Sequence, residues 1–189
     1  MDKIKLESLQ DLLNNQINFQ KLLGSDIPEK QVKFDDVQMS LSHNVYQTIE
    51  FQEYMEADAN ERKEELIDYL LFLVNKYLFL GVKVSDEYSL EQALWDTTNT
   101  CISITSCPNY ANVEQDEYIT LIRKHCVFKP WKAKSDGNCV VPEEVWLTFS
   151  KALEHFRKIA SVTYVSYDEL LRCLANKMEV NILRQESGY

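Results

Sequence analysis

IEFQEYMEADANERKEELIDYLLF, residues 49–72, carries four carboxylates in two pairs spaced three residues apart: Glu50 with Glu53, and Glu65 with Asp68. On a helix, residues three apart share a face at about 5–6 Å. Both halves of the stretch read as helix. Tyr46, Ile49 and Glu53 keep one face of a helix that Ser42 or Asn44 would cap and that runs to about Met55. EADANER is a short polar connector. The next helix spans about 62–80 and ends at Gly81, where a C-terminal glycine cap is expected. Its LIDYLLFLVNKYLFL is apolar nearly all round, the mark of a central buried helix.

If these two helices pack together, all four acids converge. At an effective dielectric of ~20, a like-charge pair ~5 Å apart costs roughly 3 kcal/mol. Such a cluster must take up protons or hold a cation. Mg²⁺ suits it, as a hard ion that takes oxygen ligands, keeps waters and binds substrate phosphates. The ordinary account of paired helix acids is a solvated face, or acids placed at a helix start to meet its dipole. Asp68 resists that account, because it lies inside LIDYLLFL, where an unpaired charge is expensive.

Outward from this hairpin, residues 4–23 form an amphipathic pattern through Leu6, Leu9, Leu12, Leu13, Phe19, Leu22 and Leu23. GSDIPEK breaks it. VSDEYSLEQALW opens a helix from Ser85 or Ser89. Residues 100–142 change character: TCISIT is β-branched, SCPNYAN and SDGN are turn chemistry, and FKPWKAK is aromatic and basic. They read as an irregular insertion with a small β-hairpin as an option. Helix resumes at PEEVWLTFSKALEHFRKIA, with Pro142 in its first turn. A last helix, YDELLRCLANKM, leads into the polar tail NILRQESGY.

The 189 residues hold 45% apolar and 26% charged side chains, with only four Gly and four Pro. That composition favours helices over a turn-rich β sandwich. A formal charge of −10 argues against a nucleic-acid-binding surface, and makes any anionic substrate depend on a mediating cation. The start, MDKIKLESLQ, lacks the apolar run of a signal peptide. Asp68, Asn75 and Lys76 interrupt the most apolar segment, which excludes a membrane span there. Five Cys without a CxxC pair read as reduced cytosolic thiols. The spacing of Cys101, Cys107, His125, Cys126 and Cys139 fits no zinc template. No GxSxG, GxxxxGK[ST] or GxGxxG occurs, so phosphate chemistry rests on metal plus Lys and Arg.

ExxE, a 12-residue step from Glu53 to Glu65, then ExxD on a buried helix resembles the metal signature of all-α nucleoside triphosphate pyrophosphatases. NKMEVNILRQESGY looks like the closing motif of one branch, the dimeric dUTPases and dCTPase–dUTPases of bacteriophages, some bacteria and kinetoplastids. LLNNQINFQKLL is similar to that family's first helix. The resemblance covers about residues 9–99 and 143–189 and leaves 100–142 unaccounted for.

The resemblance implies an all-α helical bundle of one domain over residues 1–189, with 100–142 inserted and 182–189 a flexible C-terminal motif. It implies that Glu50, Glu53, Glu65 and Asp68 ligate Mg²⁺, and that Glu50 orients and deprotonates the attacking water. Lys177, Asn181, Arg184 and Tyr189 align with residues that grip the phosphate chain. Gln16 aligns with a position that reads the base, and Asn75 with contact to sugar or base. The activity implied is hydrolysis of dUTP, and of dUDP, to dUMP, with dCTP or a broader set of dNTPs as the alternative. A cytoplasmic homodimer, in a bacterial or phage-infected cell, follows from the same likeness.

A rival reading is a protein-binding regulatory module that docks a partner through 100–142. The chain departs from the pattern of the family it resembles between the acidic motifs, where many members carry a Trp, and just after Asp68, where many carry a His. Phe128 or Trp131 of the insertion is the candidate for the missing aromatic wall.

Overall fold

The computed structural model describes residues 4–28, 31–84, 88–96, 102–126 and 140–188. Among them the chain is all-α. Seven helices follow in order: α1 Leu9–Leu22, α2 Phe34–Glu56, α3 Glu61–Leu78, α4 Leu90–Leu94, α5 Cys107–His125, α6 Pro142–Thr163 and α7 Tyr167–Glu186. An isolated antiparallel bridge joins Ser8 and Ser89.

At the centre stands α3, as its apolar sequence predicts. From Leu66 to Leu78 every residue but Asp68 and Phe72 is buried. α2 packs along it antiparallel, joined by the four-residue connector 57–60, and α1, α6 and α7 pack on its remaining sides. One apolar cluster takes residues from all seven helices, among them Leu12, Tyr54, Leu70, Leu94, Tyr118, Phe156 and Leu174. α3 ends before Gly81, whose φ of 75° lets the chain turn back so that Val82 donates its N–H to the Tyr77 carbonyl at 3.1 Å.

α2 starts eight residues before the earlier of the two expected caps. Asp36 accepts from the Lys33 backbone N–H at 2.7 Å and closes the first turn. Ser42 and Asn44, the expected caps, lie mid-helix with other uses. Ser42 donates back to the Gln38 carbonyl at 3.0 Å, and Asn44 accepts from the Lys76 ammonium at 3.2 Å. α1 begins at Leu9, where Ser8 and Asp11 form a reciprocal capping box, so Leu6 enters the core from the chain before the helix. Ser89 caps α4, accepting from the Gln92 N–H at 3.1 Å. Ser85 lies outside the described residues.

The largest correction concerns 100–142. Residues 107–125 are neither irregular nor β but the 19-residue helix α5, packed against α6. Pro108 sits in its first turn, where its missing N–H costs nothing. α5 carries Glu114 into the interior. There it meets the Lys76 ammonium at 2.7 Å, the Gln47 amide at 2.9 Å and the Tyr77 hydroxyl at 3.1 Å, and both charged side chains are fully excluded from solvent. This network ties α5 to α2 and α3. Burial lowers the pKa of Lys76, while Glu114 opposes the shift. FKPWKAK and SDGN, with Phe128, Trp131 and Cys139, lie outside the described residues, as does Cys101.

A second correction concerns the end of the chain. α7 continues to Glu186, so residues expected in a polar tail are its last turns. Ser166 caps its start, and Glu169 in its first turn pairs with Lys63 of α3 at 2.7 Å. α7 therefore lies beside the acidic end of α3.

Candidate metal centre

α2 and α3 run antiparallel from the 57–60 connector, so residues equally far from it face each other. Glu50 of α2 thus meets Glu65 and Asp68 of α3. One carboxylate oxygen from each of these three lies within 4.8 Å of the other two, and all three residues are half-buried. Among the described residues this is the one group of three such side chains within reach of a shared ion.

The electrostatics of the trio is that of charges lacking compensation. The Glu50 carboxyl is pushed up to about 7, chiefly by burial and then by the charges of Asp68, Glu53 and Glu65. Burial, aided by Asp68 and Glu53, also raises Glu65. Asp68 is raised by burial against the pull of Lys177. Glu53, the fourth expected ligand, is exposed and stands outside the trio, though its charge reaches both Glu50 and Glu65. Three residues along a helix amount to about 300° of rotation, so Glu53 is turned about 60° from Glu50.

α7 supplies the opposite charge. The Lys177 ammonium lies 2.5 Å from Asp68 Oδ2, with the two side chains only 22% and 18% exposed. Asn181 and Arg184 follow at helical spacing, one and two turns on. The Arg184 guanidinium is exposed, and its charge is felt at Asp68. α7 thus brings Lys177 onto Asp68 and carries Asn181 and Arg184 at helical spacing from that lysine. Tyr189 lies outside the described residues.

Gln16 and Asn75 are both buried, at 2% and 4% exposure, on α1 and α3. Among the described residues the side-chain carbonyl of each has no hydrogen-bond partner. An unpartnered buried amide oxygen is costly, which fits a group kept for something that arrives from outside. Asn75 stands two turns from Asp68 on α3. α1, which carries Gln16, packs on α3.

An aromatic pair that the sequence reading did not assign adjoins the acids. Tyr46, one turn before Glu50, stacks on Phe72, one turn after Asp68, with ring centroids 5.3 Å apart. Tyr46 is 51% exposed. The signal was present in the sequence as aromatics at i−4 and i+4 from the two acids. Beyond them His43 stacks on Phe79 at 5.2 Å, and burial lowers its imidazole to about 4.

The described cysteines add no second centre: Cys107, Cys126 and Cys173 are free thiols. No described helix is long and apolar enough to cross a membrane. Comparison with protein-family models, with curated proteins and with solved structures gave no match.

Proposed function

We propose that this protein is a Mg²⁺-dependent nucleotide hydrolase that converts dUTP to dUMP and pyrophosphate, and dUDP to dUMP and phosphate. The observation that carries the reading is the meeting of Glu50, Glu65 and Asp68 from two helices, with Lys177 of a third on Asp68. The donor set fits the ion. It is all oxygen, carboxylate only, half-buried and short of positive charge, as a hard divalent cation requires.

Glu65 and Asp68 would hold the cation with Glu50, and Glu53 would join from the rim. When bound, Mg²⁺ neutralises phosphate charge and makes the phosphorus under attack more electrophilic. Glu50, whose proton affinity is raised by burial and by the neighbouring acids, orients the attacking water and accepts its proton. Arg184 offers a planar fork to a phosphate, Lys177 a point charge, and Asn181 and Tyr189 further hydrogen bonds. Gln16 and Asn75, with donor and acceptor on one amide, suit a uracil edge and the sugar. The Tyr46–Phe72 pair, one turn from Glu50 and Asp68, offers an apolar wall. A homodimer belongs to the same proposal. Val45 and Ile49, exposed one turn apart on α2, supply apolar surface for it, and sedimentation tests it.

A panel of dNTPs and rNTPs with pyrophosphate detection tests the activity and the choice of base together. Turnover of dUTP in Mg²⁺, one pyrophosphate per dUMP and none in EDTA, is expected. Turnover of dCTP or of several dNTPs widens the substrate within the same chemistry. No turnover of any nucleotide overturns the reading in favour of a binding module.

A further inference from the structure

Asp68 already has a cation. Its Oδ2 is 2.5 Å from the Lys177 ammonium, a charge-assisted contact from which most solvent is excluded. Asp68 in turn has an oxygen within 4.8 Å of oxygens of Glu50 and Glu65, so the ammonium sits beside the trio. The charges felt at the trio, besides its own three, are Glu53 from α2, Glu64 from α3, and Lys177 and Arg184 from α7. One direct monovalent partner stands against three carboxylates whose oxygens lie within 4.8 Å of one another. The ammonium on Asp68 Oδ2 is not compatible with a divalent ion on the same carboxylate, since two cations a few ångströms apart repel strongly.

Lysine is suited to leave. Its flexible four-carbon stem carries the charge several ångströms without any shift of α7, whose start is fixed separately by the Lys63–Glu169 pair. An ammonium leaving Asp68 needs a new anionic partner. The phosphate chain of a nucleotide is one.

We propose that Lys177 is a positioning residue that serves as internal counter-ion to Asp68 in the free protein and is handed to the substrate's phosphate as Mg²⁺ and nucleotide enter together. The inference rests on the trio's being a metal centre, and it adds an order to loading. The free protein takes the divalent ion weakly because Lys177 competes for Asp68. Nucleotide removes the competitor by binding it. By linkage, nucleotide must then tighten the metal by the factor by which metal tightens nucleotide.

The test is calorimetric titration of Mn²⁺, a spectroscopic stand-in for Mg²⁺, into the full chain with and without α,β-imido-dUTP. In the wild-type protein the analogue should tighten Mn²⁺ at least about tenfold. Lys177→Met should bind Mn²⁺ alone at least about tenfold more tightly than wild type, and gain less from the analogue. Lys177→Arg keeps the charge and the pairing and should stay near wild type. Arg184→Gln, which removes a nearby charge without a direct contact to Asp68, should change Mn²⁺ alone by less than about threefold while raising KM for nucleotide. Equal Mn²⁺ affinity in wild type and Lys177→Met overturns the handover. So does a wild-type affinity indifferent to the analogue, which needs no variant to fold. Absence of Mn²⁺ binding in every protein, with or without analogue, instead overturns the metal reading beneath it.

Discussion

Replacing Glu50 by Gln should make the metal-free protein more stable, even as it removes the proposed base. The Glu50 carboxyl is pushed up to about 7 from an ordinary 4.5, by burial and by three neighbouring carboxylates. In the unfolded chain it titrates near its ordinary value. Below pH 4.5 the group is protonated in both states and contributes nothing. As pH rises toward 7 the unfolded chain gives up its proton while the folded one retains it, and stability is lost over that window. Above pH 7 the full penalty is present. The two values correspond to about 3 kcal/mol in the absence of screening. Glu50 is only half-buried, so solvent screening reduces this to about 1–2 kcal/mol. For a chain of this size that is roughly 3–6 °C in Tm.

Glutamine keeps the shape and deletes the charge. Thermal unfolding in EDTA should therefore show Glu50→Gln melting above wild type at pH 8 and level with it at pH 4.5. Mg²⁺ should stabilise wild type more than the variant at pH 8, because it relieves the same repulsion. A variant less stable than wild type at pH 8, or equally stabilised at both pH values, would refute the electrostatic reasoning.

Asp68→Asn should lower kcat for dUTP at least about 100-fold, because it removes a carboxylate from the trio. Glu53→Gln, at the exposed rim, should cost about tenfold or less; steady-state pyrophosphate release compares them. Glu114→Ala leaves the buried Lys76 ammonium without its carboxylate and should cost about 3–5 kcal/mol by urea denaturation. Glu114→Gln should cost less, because it retains acceptor and shape. Gly81→Ala should destabilise by about 1–2 kcal/mol in the same assay. Its φ of 75° disfavours an L side chain, and the new Cβ would meet Val32 Cγ2 at 3.1 Å.

The parts of the fold legible in the sequence were those where one interaction dominates. α3 declares itself through an apolar run ended by Gly81, and α6 through Pro142 and a regular stripe ending at Ala160. α5 was hidden because its buried stripe, Cys107, Ala111, Glu114, Tyr118, Leu121 and Ile122, has a glutamate at its centre. Its partner, Lys76, lies 38 residues away, so local pattern cannot reveal that the charge is matched. The start of α2 was missed for a related reason. Ser42 and Asn44 have the chemistry of caps, and only the tertiary fold shows what they bind instead.

The site divides in the same way. Helical spacing placed Glu50 beside Glu53 and Glu65 beside Asp68, and the short connector implied that the pairs could meet. Spacing alone does not say that Glu53 turns outward while Glu50 turns in. Nor does it reveal that the contact between Lys177 and Asp68, 109 residues apart, exists in the free protein.

The central claim is that Glu50, Glu65 and Asp68 close around one divalent cation bearing a nucleotide's phosphates. Anomalous diffraction from crystals grown with Mn²⁺ and α,β-imido-dUTP examines it directly. A manganese peak within about 2.0–2.4 Å of an oxygen from each of the three residues, and of a phosphate oxygen, is the expected result. The account is contradicted by those carboxylates turned apart into solvent with no peak between them.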